Sequence, residues 1–308
     1  MKKFIIFSDT ACDLSKELRD KYDIEFINGH ISVHGVEHVA DCAFNFATKE
    51  EFFKDLKKYP NEYTTAPASP DELKAKWETY LKDGYDIIAT SLSGGLSATI
   101  NFMNLAKKEL LEIYPERRIE CIDSLRYSTA LGLLTVKAAI LKQEGKSFDE
   151  VVTWLNANKN RLHQMGYLDD LSFVAAKGRI SKPKAFMGQL IGIKPLGDFD
   201  STGKTTILGK VKGDKVAIET IIKYMEKTIE NPEDQIIFVA STNRDKQALE
   251  LKQRIEERFN PKEVLLTTVY PICSINIGPG LMAAYYFGTP ISDDLEAEKK
   301  IMDEIINQ

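Results

Sequence analysis

Cysteine is scarce and scattered. Cys12, Cys42, Cys121 and Cys273 show no Cys-x-x-Cys spacing, which speaks against a disulfide framework and for reduced thiols in a cytoplasm. Long apolar runs are missing too. No segment approaches the roughly 18 residues of a membrane span, and the run at residues 4–7 behind Lys2-Lys3 is cut by Ser8-Asp9, well short of a signal-peptide core. Nor is there an excess of positive charge: the net charge is -5 with the signs intermixed, leaving no basic stripe for nucleic acid and no polybasic patch for a membrane surface. Internal repeats and low-complexity tracts are also absent. What remains is an ordinary globular composition, 308 residues with 43% hydrophobic and 28% charged, long enough for two domains.

The first half alternates short apolar runs with longer amphipathic stretches. Strands are expected at residues 4–7, 87–89 and 119–122, with helices at 15–21, 50–58, 70–82, 97–113, 128–143 and 148–161. That alternation implies a parallel sheet with helical crossovers, a Rossmann-like N-terminal domain over residues 1–160. From residue 161 to 308 the texture changes. Strands are expected at 171–174, 205–212, 235–241, 263–269 and 281–287, and helices at 183–190, 217–230, 245–259 and 292–306, a mixed α+β domain. The fold class is therefore α/β.

Three apolar runs of the first half end in short polar residues: Ser8-Asp9-Thr10, Ser91-Leu92-Ser93 and Asp123-Ser124. In a parallel sheet these lie together at the carboxyl edge, where open α/β sheets bind ligands. The stretch from Ser91 through Ser93-Gly94-Gly95 to Ser97 and Thr99 then runs from strand through a hydroxyl- and glycine-rich turn into a helix. Such a turn aims backbone N–H groups at an anion, so a carboxylate or phosphate is the expected guest.

Other clusters have plainer readings. His30, His34 and His38 recur every four residues and on a helix would share a metal-binding face, but their surroundings alternate in the strand period and have no companion metal motif, so a polar ribbon edge is expected. Asp200 to Thr205 ends like a Walker A loop, yet Asp198 stands where that loop needs glycine, so a hairpin turn is expected. Gly95-Leu96-Ser97-Ala98-Thr99 lacks the last glycine of a hydrolase elbow. A metal-independent hydrolase or transferase using Ser93 or Ser97 stays open as an alternative, although His163, the one histidine outside the trio, has no serine obviously paired with it. Residues 185–195 are apolar around most of their circumference and interspersed with glycine, which suits core or the wall of a narrow channel.

Taken in order, several motifs resemble the DegV family, which includes the fatty-acid-carrying (FakB) subunit of bacterial fatty acid kinase. They are Ser8-Asp9-Thr10-Ala11-Cys12-Asp13-Leu14, Thr64-Thr65-Ala66-Pro67-Ala68-Ser69-Pro70, Ser93-Gly94-Gly95-Leu96-Ser97-Ala98-Thr99, Asp123-Ser124, Leu171-Ser172-Phe173, Lys177-Gly178-Arg179-Ile180-Ser181, Ile193-Lys194-Pro195, Gly209-Lys210-Val211 and Gly278-Pro279-Gly280. The resemblance implies a carrier rather than an enzyme, with no cofactor, holding one long-chain fatty acid between its domains. Its carboxyl group would meet Thr64 or Thr65, Ser93 and the backbone of Gly94 and Gly95. It also implies a separate ATP-dependent kinase subunit that forms an acyl phosphate and is met through Arg179. The family usually has histidine two residues before Gly-Pro-Gly; here that position is Asn276, which can donate a hydrogen bond but carries no charge.

Overall fold

The computed structural model of the chain describes residues 3–180 and 192–307. The helix expected at 183–190, and most of the apolar stretch at 185–195, lie outside those residues.

The first lobe is a four-stranded, wholly parallel sheet in the order β2 (Ile24–Ile27), β1 (Phe4–Asp9), β6 (Asp86–Ser91), β7 (Ile119–Asp123). β1 and β6 are buried along their whole length, as strands covered on both faces must be. Helices α3 (Pro70–Lys82) and α4 (Thr99–Ile113) pack Leu73, Trp77, Met103 and Leu110 against Ile5, Phe7 and Ile87 on one face. The other face meets α5 (Thr129–Gln143), with α6 (Phe148–Asn158) and the short α1 (Lys16–Tyr22) beside it. Helix starts follow the sequence closely. α6 and α3 open on capping boxes, Ser147 with Glu150 and Ser69 with Glu72, and Pro70 takes the first helical position of α3.

A smaller antiparallel sheet, β4 (Val36–Ala40), β3 (Gly29–Val33) and β5 (Tyr63–Ala66), projects from this lobe under α2 (Lys49–Lys58). The histidine trio falls on this ribbon, His30 and His38 on its strands and His34 in the turn between them. Each member has its own neighbour: Glu72 for His30 at 3.0 Å, Asp55 for His34 at 2.6 Å, and the ring of Phe46 for His38 at 4.7 Å. Among the described residues no group of acidic, His or Cys side chains is placed to hold a metal.

The second lobe is a six-stranded mixed sheet in the order β10 (Thr205–Lys212), β9 (Ile193–Phe199), β8 (Leu162–Tyr167), β13 (Met282–Phe287), β11 (Ile236–Ser241), β12 (Glu263–Thr268). Only the β11–β12 pair is parallel. Helices α8 (Asp214–Thr228), α9 (Asp245–Phe259) and α11 (Glu296–Ile306) cover its outer face. Its inner face packs on α5, so that one continuous core runs from Phe4 and Ile88 through α5 to Phe238, Ala283 and Tyr285. Two short helices, α7 (Ser172–Ala176) and α10 (Pro271–Ile277), bridge to the small sheet. Among the described residues no helix is long and apolar enough to cross a membrane.

The strand expected at 171–174 is instead α7. The Asp170 carboxylate accepts the Ser172 N–H at 2.8 Å and folds the chain into a turn that starts the helix. β8 is a strand the periodicity conceals, because His163 and Gln164 stand side by side in it and both its faces are buried. The histidine is accommodated by Asp198 at 2.8 Å and the Thr289 carbonyl at 3.0 Å. Residues 200–204 form the expected hairpin turn between β9 and β10. The Asp200 carboxylate accepts the Thr202 and Lys204 N–H groups there, at 2.9 and 3.1 Å.

Candidate functional site

The carboxyl ends of β1, β6 and β7 meet as their polar endings imply. Asp9 Oδ1 accepts the Ala11 N–H at 2.7 Å and Oδ2 the Leu92 N–H at 3.0 Å, tying the first ending to the second. Asp123 Oδ2 accepts the Gly94 N–H at 3.1 Å, tying the third to the same turn.

These bonds correct one expectation. The Gly94 N–H is occupied by Asp123, and the Gly95 N–H donates to Ser93 Oγ at 3.1 Å. The N–H groups of Leu96 and Ser97 both turn back to the Ser93 carbonyl, at 3.0 and 3.1 Å. The turn thus satisfies its own donors, and both glycines offer a ligand surface rather than free N–H groups. Ser93 itself is fully buried. The tip of the β9–β10 hairpin, from the other lobe, lies on it: a Cβ on Gly203 would fall 1.9 Å from Ser93 Oγ, and one on Gly95 would fall 2.5 Å from the Thr202 carbonyl. Ser93 therefore holds the turn in shape and seats the second lobe.

Beside this turn, between the lobes, lies a cavity of about 370 Å³. Gly94, Gly95, Leu96, Ser97 and Thr99 form one wall, Thr65 with residues 66–68 another, and Thr10, Tyr127, Ile272, Asn276 and Arg179 complete it. Of the two candidate threonines, Thr65 lines the cavity and Thr64 faces solvent, as successive strand residues must. Asn276, on α10, donates one amide hydrogen bond to the Ile272 carbonyl and another to Thr65 Oγ1, both at 3.1 Å. The Thr65 hydroxyl, with a donor already on its oxygen, is left to give its own proton into the cavity. Ser97 and Thr99 share a hydroxyl contact of 2.9 Å on the opposite wall.

Two buried carboxyl groups frame the site. Burial pushes Asp9, which lines the cavity, up to about 6 against the pull of its two backbone donors. Asp13, one turn on, is pushed by burial to about 7 and accepts the Ser128 hydroxyl at 2.5 Å and the Tyr270 N–H at 2.8 Å. It thereby pins the start of α5 and the approach to α10 to the end of β1. The polar ending Ser8-Asp9-Thr10 marks Asp9 in the sequence; Asp13 lies behind the cavity wall, and its partners Ser128 and Tyr270 are brought to it only by the fold.

Past Tyr127 and Arg179, which line both spaces, a narrower crevice of about 50 Å³ enters the second lobe between Gly166, Leu168, Val174, Phe199, Ile207 and Leu281. The cavity thus combines hydroxyls and an amide with apolar side chains, and Arg179 and Tyr127 stand where it adjoins a narrower, mostly apolar crevice.

The fold defines a two-domain α/β protein with a cavity between its lobes. A family model described as "Uncharacterised protein, DegV family" matches residues 3–289, and the chain belongs to the DegV family. A DegV domain-containing protein of Clostridium perfringens is 32% identical over 288 residues, covering 94% of this chain and 98% of its own length. Another, from Streptococcus pyogenes, is 27% identical over 285 residues, covering 92% of this chain and 98% of its own. Among solved structures, a DegV family protein from Thermus thermophilus described by its fatty acid binding superposes with a TM-score of 0.84 at 21% identity, covering 94% of this chain and all of its own. The Streptococcus pneumoniae fatty acid kinase B3 protein, loaded with linoleic acid, superposes with a TM-score of 0.78 at 23% identity, covering 92% of this chain and 99% of its own.

Proposed function

We propose that this protein carries one long-chain fatty acid, its carboxyl group in the polar cavity and its tail directed past Tyr127 into the second lobe, and presents the head to a separate ATP-dependent kinase for acyl-phosphate formation. The observation that carries the reading is the junction of the two spaces: a cavity of about 370 Å³ that offers hydroxyls, an amide and apolar side chains, and a mostly apolar crevice of about 50 Å³ that must widen to admit a tail. Burying roughly fourteen methylenes at about 0.8 kcal/mol each is worth on the order of 11 kcal/mol before association costs, enough for firm retention. The carboxylate exchanges water for the Thr65 hydroxyl, set by Asn276, with the Ser97 and Thr10 hydroxyls nearby and Arg179 at the waist. The ligands of the Thermus and Streptococcus pneumoniae neighbours support the acid. The kinase rests on the Streptococcus pneumoniae neighbour alone and on the place of Arg179, partly exposed beside the cavity. We place the division between the domains near residue 160 and the working site in the cytoplasm.

A serine-based hydrolase fits the site less well. Ser93 is sealed under Gly203, Ser97 is paired with Thr99, and His163 is committed to Asp198 and the Thr289 carbonyl. Native mass spectrometry of the purified chain tests the carrier: the expected spectrum shows one long-chain fatty acid per protein. A spectrum that stays lipid-free after incubation with such acids overturns the reading, and so does ester or phosphate turnover by the chain alone.

Asp9 gives the affinity a pH dependence. Its carboxyl group ionises near 6, and a bound carboxylate in the same cavity disfavours that charge, so binding takes up protons in this range. Affinity is therefore expected to rise as pH falls from 8 toward 5.5, by about tenfold if the two charges interact by one pKa unit. In Asp9→Asn the slope flattens. Titrations at three pH values with both proteins check this, and an identical slope in the two would refute it.

A further inference from the structure

Gln164 is a polar side chain on an apolar wall. It stands in the middle of β8, on the face shared with Leu162 and Gly166, paired across the sheet with Tyr285 of β13. That face packs into the continuous core, and Gln164 is only 9% exposed. Its amide oxygen Oε1 has no hydrogen-bond partner among the described residues, and its side chain lines the crevice proposed to receive the tail, amid Phe199, Ile207, Leu281 and Ala283, with Tyr127, Arg179 and Thr205 also in its lining. His163, beside it in sequence, faces the other side of the sheet and is fully partnered there.

A buried acceptor without a donor is costly, and an unadorned hydrocarbon tail lying against it would fix the cost in place by excluding water. A tail that brings its own donor removes the cost. We propose that the acyl chain this protein prefers is hydroxylated, its hydroxyl donating to Gln164. The inference rests on the carrier reading and narrows it to a ligand class, oxygenated long-chain acids, with Gln164 as the residue that sets the choice.

The test is competition for the delipidated full-length chain between octadecanoic acid and a panel of hydroxyoctadecanoic acids bearing the hydroxyl at successive positions, read by native mass spectrometry. At least one positional isomer is expected to outcompete the plain acid by about tenfold, the scale of one well-made buried hydrogen bond. In Gln164→Leu and in the slimmer Gln164→Met the ratio of hydroxylated to plain acid bound is expected to fall to about one, with a cooperative thermal melt showing that each variant folds. Equal binding of plain and hydroxylated acids by the native chain overturns the inference and leaves the carrier standing; it would mean that water alone serves Gln164. A preference that persists in both variants also overturns it. Binding of neither kind of acid overturns the carrier reading and this inference together.

Discussion

Gly203→Ala is expected to unseat the second lobe from the first and lower the melting temperature by several degrees. Gly203 has a φ of 78°, in the left-handed region, where a non-glycine residue costs about 1–2 kcal/mol. The added methyl would lie 1.9 Å from Ser93 Oγ, 2.9 Å from Ser93 Cβ and 3.2 Å from the Leu125 Cα. Rotating the serine hydroxyl clears the first contact and not the other two, so the hairpin tip must lift, at an overpacking cost of about 1–3 kcal/mol. Lifting it also frees Gly95 from the Thr202 carbonyl above it. Under the carrier reading, the bound acid then leaves faster from a cavity whose wall has loosened. Thermal melts with and without lipid, and the rate of lipid transfer to vesicles, measure both effects. A variant that melts and releases lipid like the native chain would show that the hairpin contact is not a seat.

The second large effect is expected at the head group. Thr65→Ala removes the hydroxyl that gives its proton into the cavity, and a hydrogen bond to a charged group is worth about 1.5–3 kcal/mol. Affinity for a long-chain acid is therefore expected to fall by roughly ten- to more than a hundredfold, while Thr65→Ser stays near the native value. Asn276→Ala acts through Thr65, since both of its amide hydrogen bonds are spent on Thr65 Oγ1 and the Ile272 carbonyl. It should cost less, and the double variant should lose little beyond Thr65→Ala, the non-additivity of residues working in one network. Additive losses would mean that Asn276 meets the ligand directly. Full retention by Thr65→Ala would move the head group elsewhere in the cavity.

What the sequence discloses here is what local chemistry decides. Ser147 with Glu150 and Ser69-Pro70 with Glu72 mark the starts of α6 and α3 because a capping box works within four residues. The polar endings of β1, β6 and β7 mark the ligand edge because parallel strands place them there. The pairing of the small sheet is what separates Thr65 from Thr64, and a four-residue strand such as β5 is too short to announce its faces. The turn after β6 misleads for a related reason: its glycines and serines have the composition of an anion nest, but Asp123, about thirty residues on, claims one N–H and Ser93 another. Gln164 and Gly203 gain their meaning only when β8 and the hairpin are folded against the first lobe.

Helix α5 has consequences for how this chain can be recombined. It is buried on nearly every side, clasped by the sheet before it and the sheet after it. A chimaera that joins the front half of one relative to the back half of another must therefore match the second sheet to a foreign helix, since a crossover placed near residue 160, tidy in sequence, would set one partner's α5 against the other's strands. Exchange confined to the hairpin tip or the small sheet leaves that helix untouched, so family members can trade ligand-facing pieces more readily than they can trade halves.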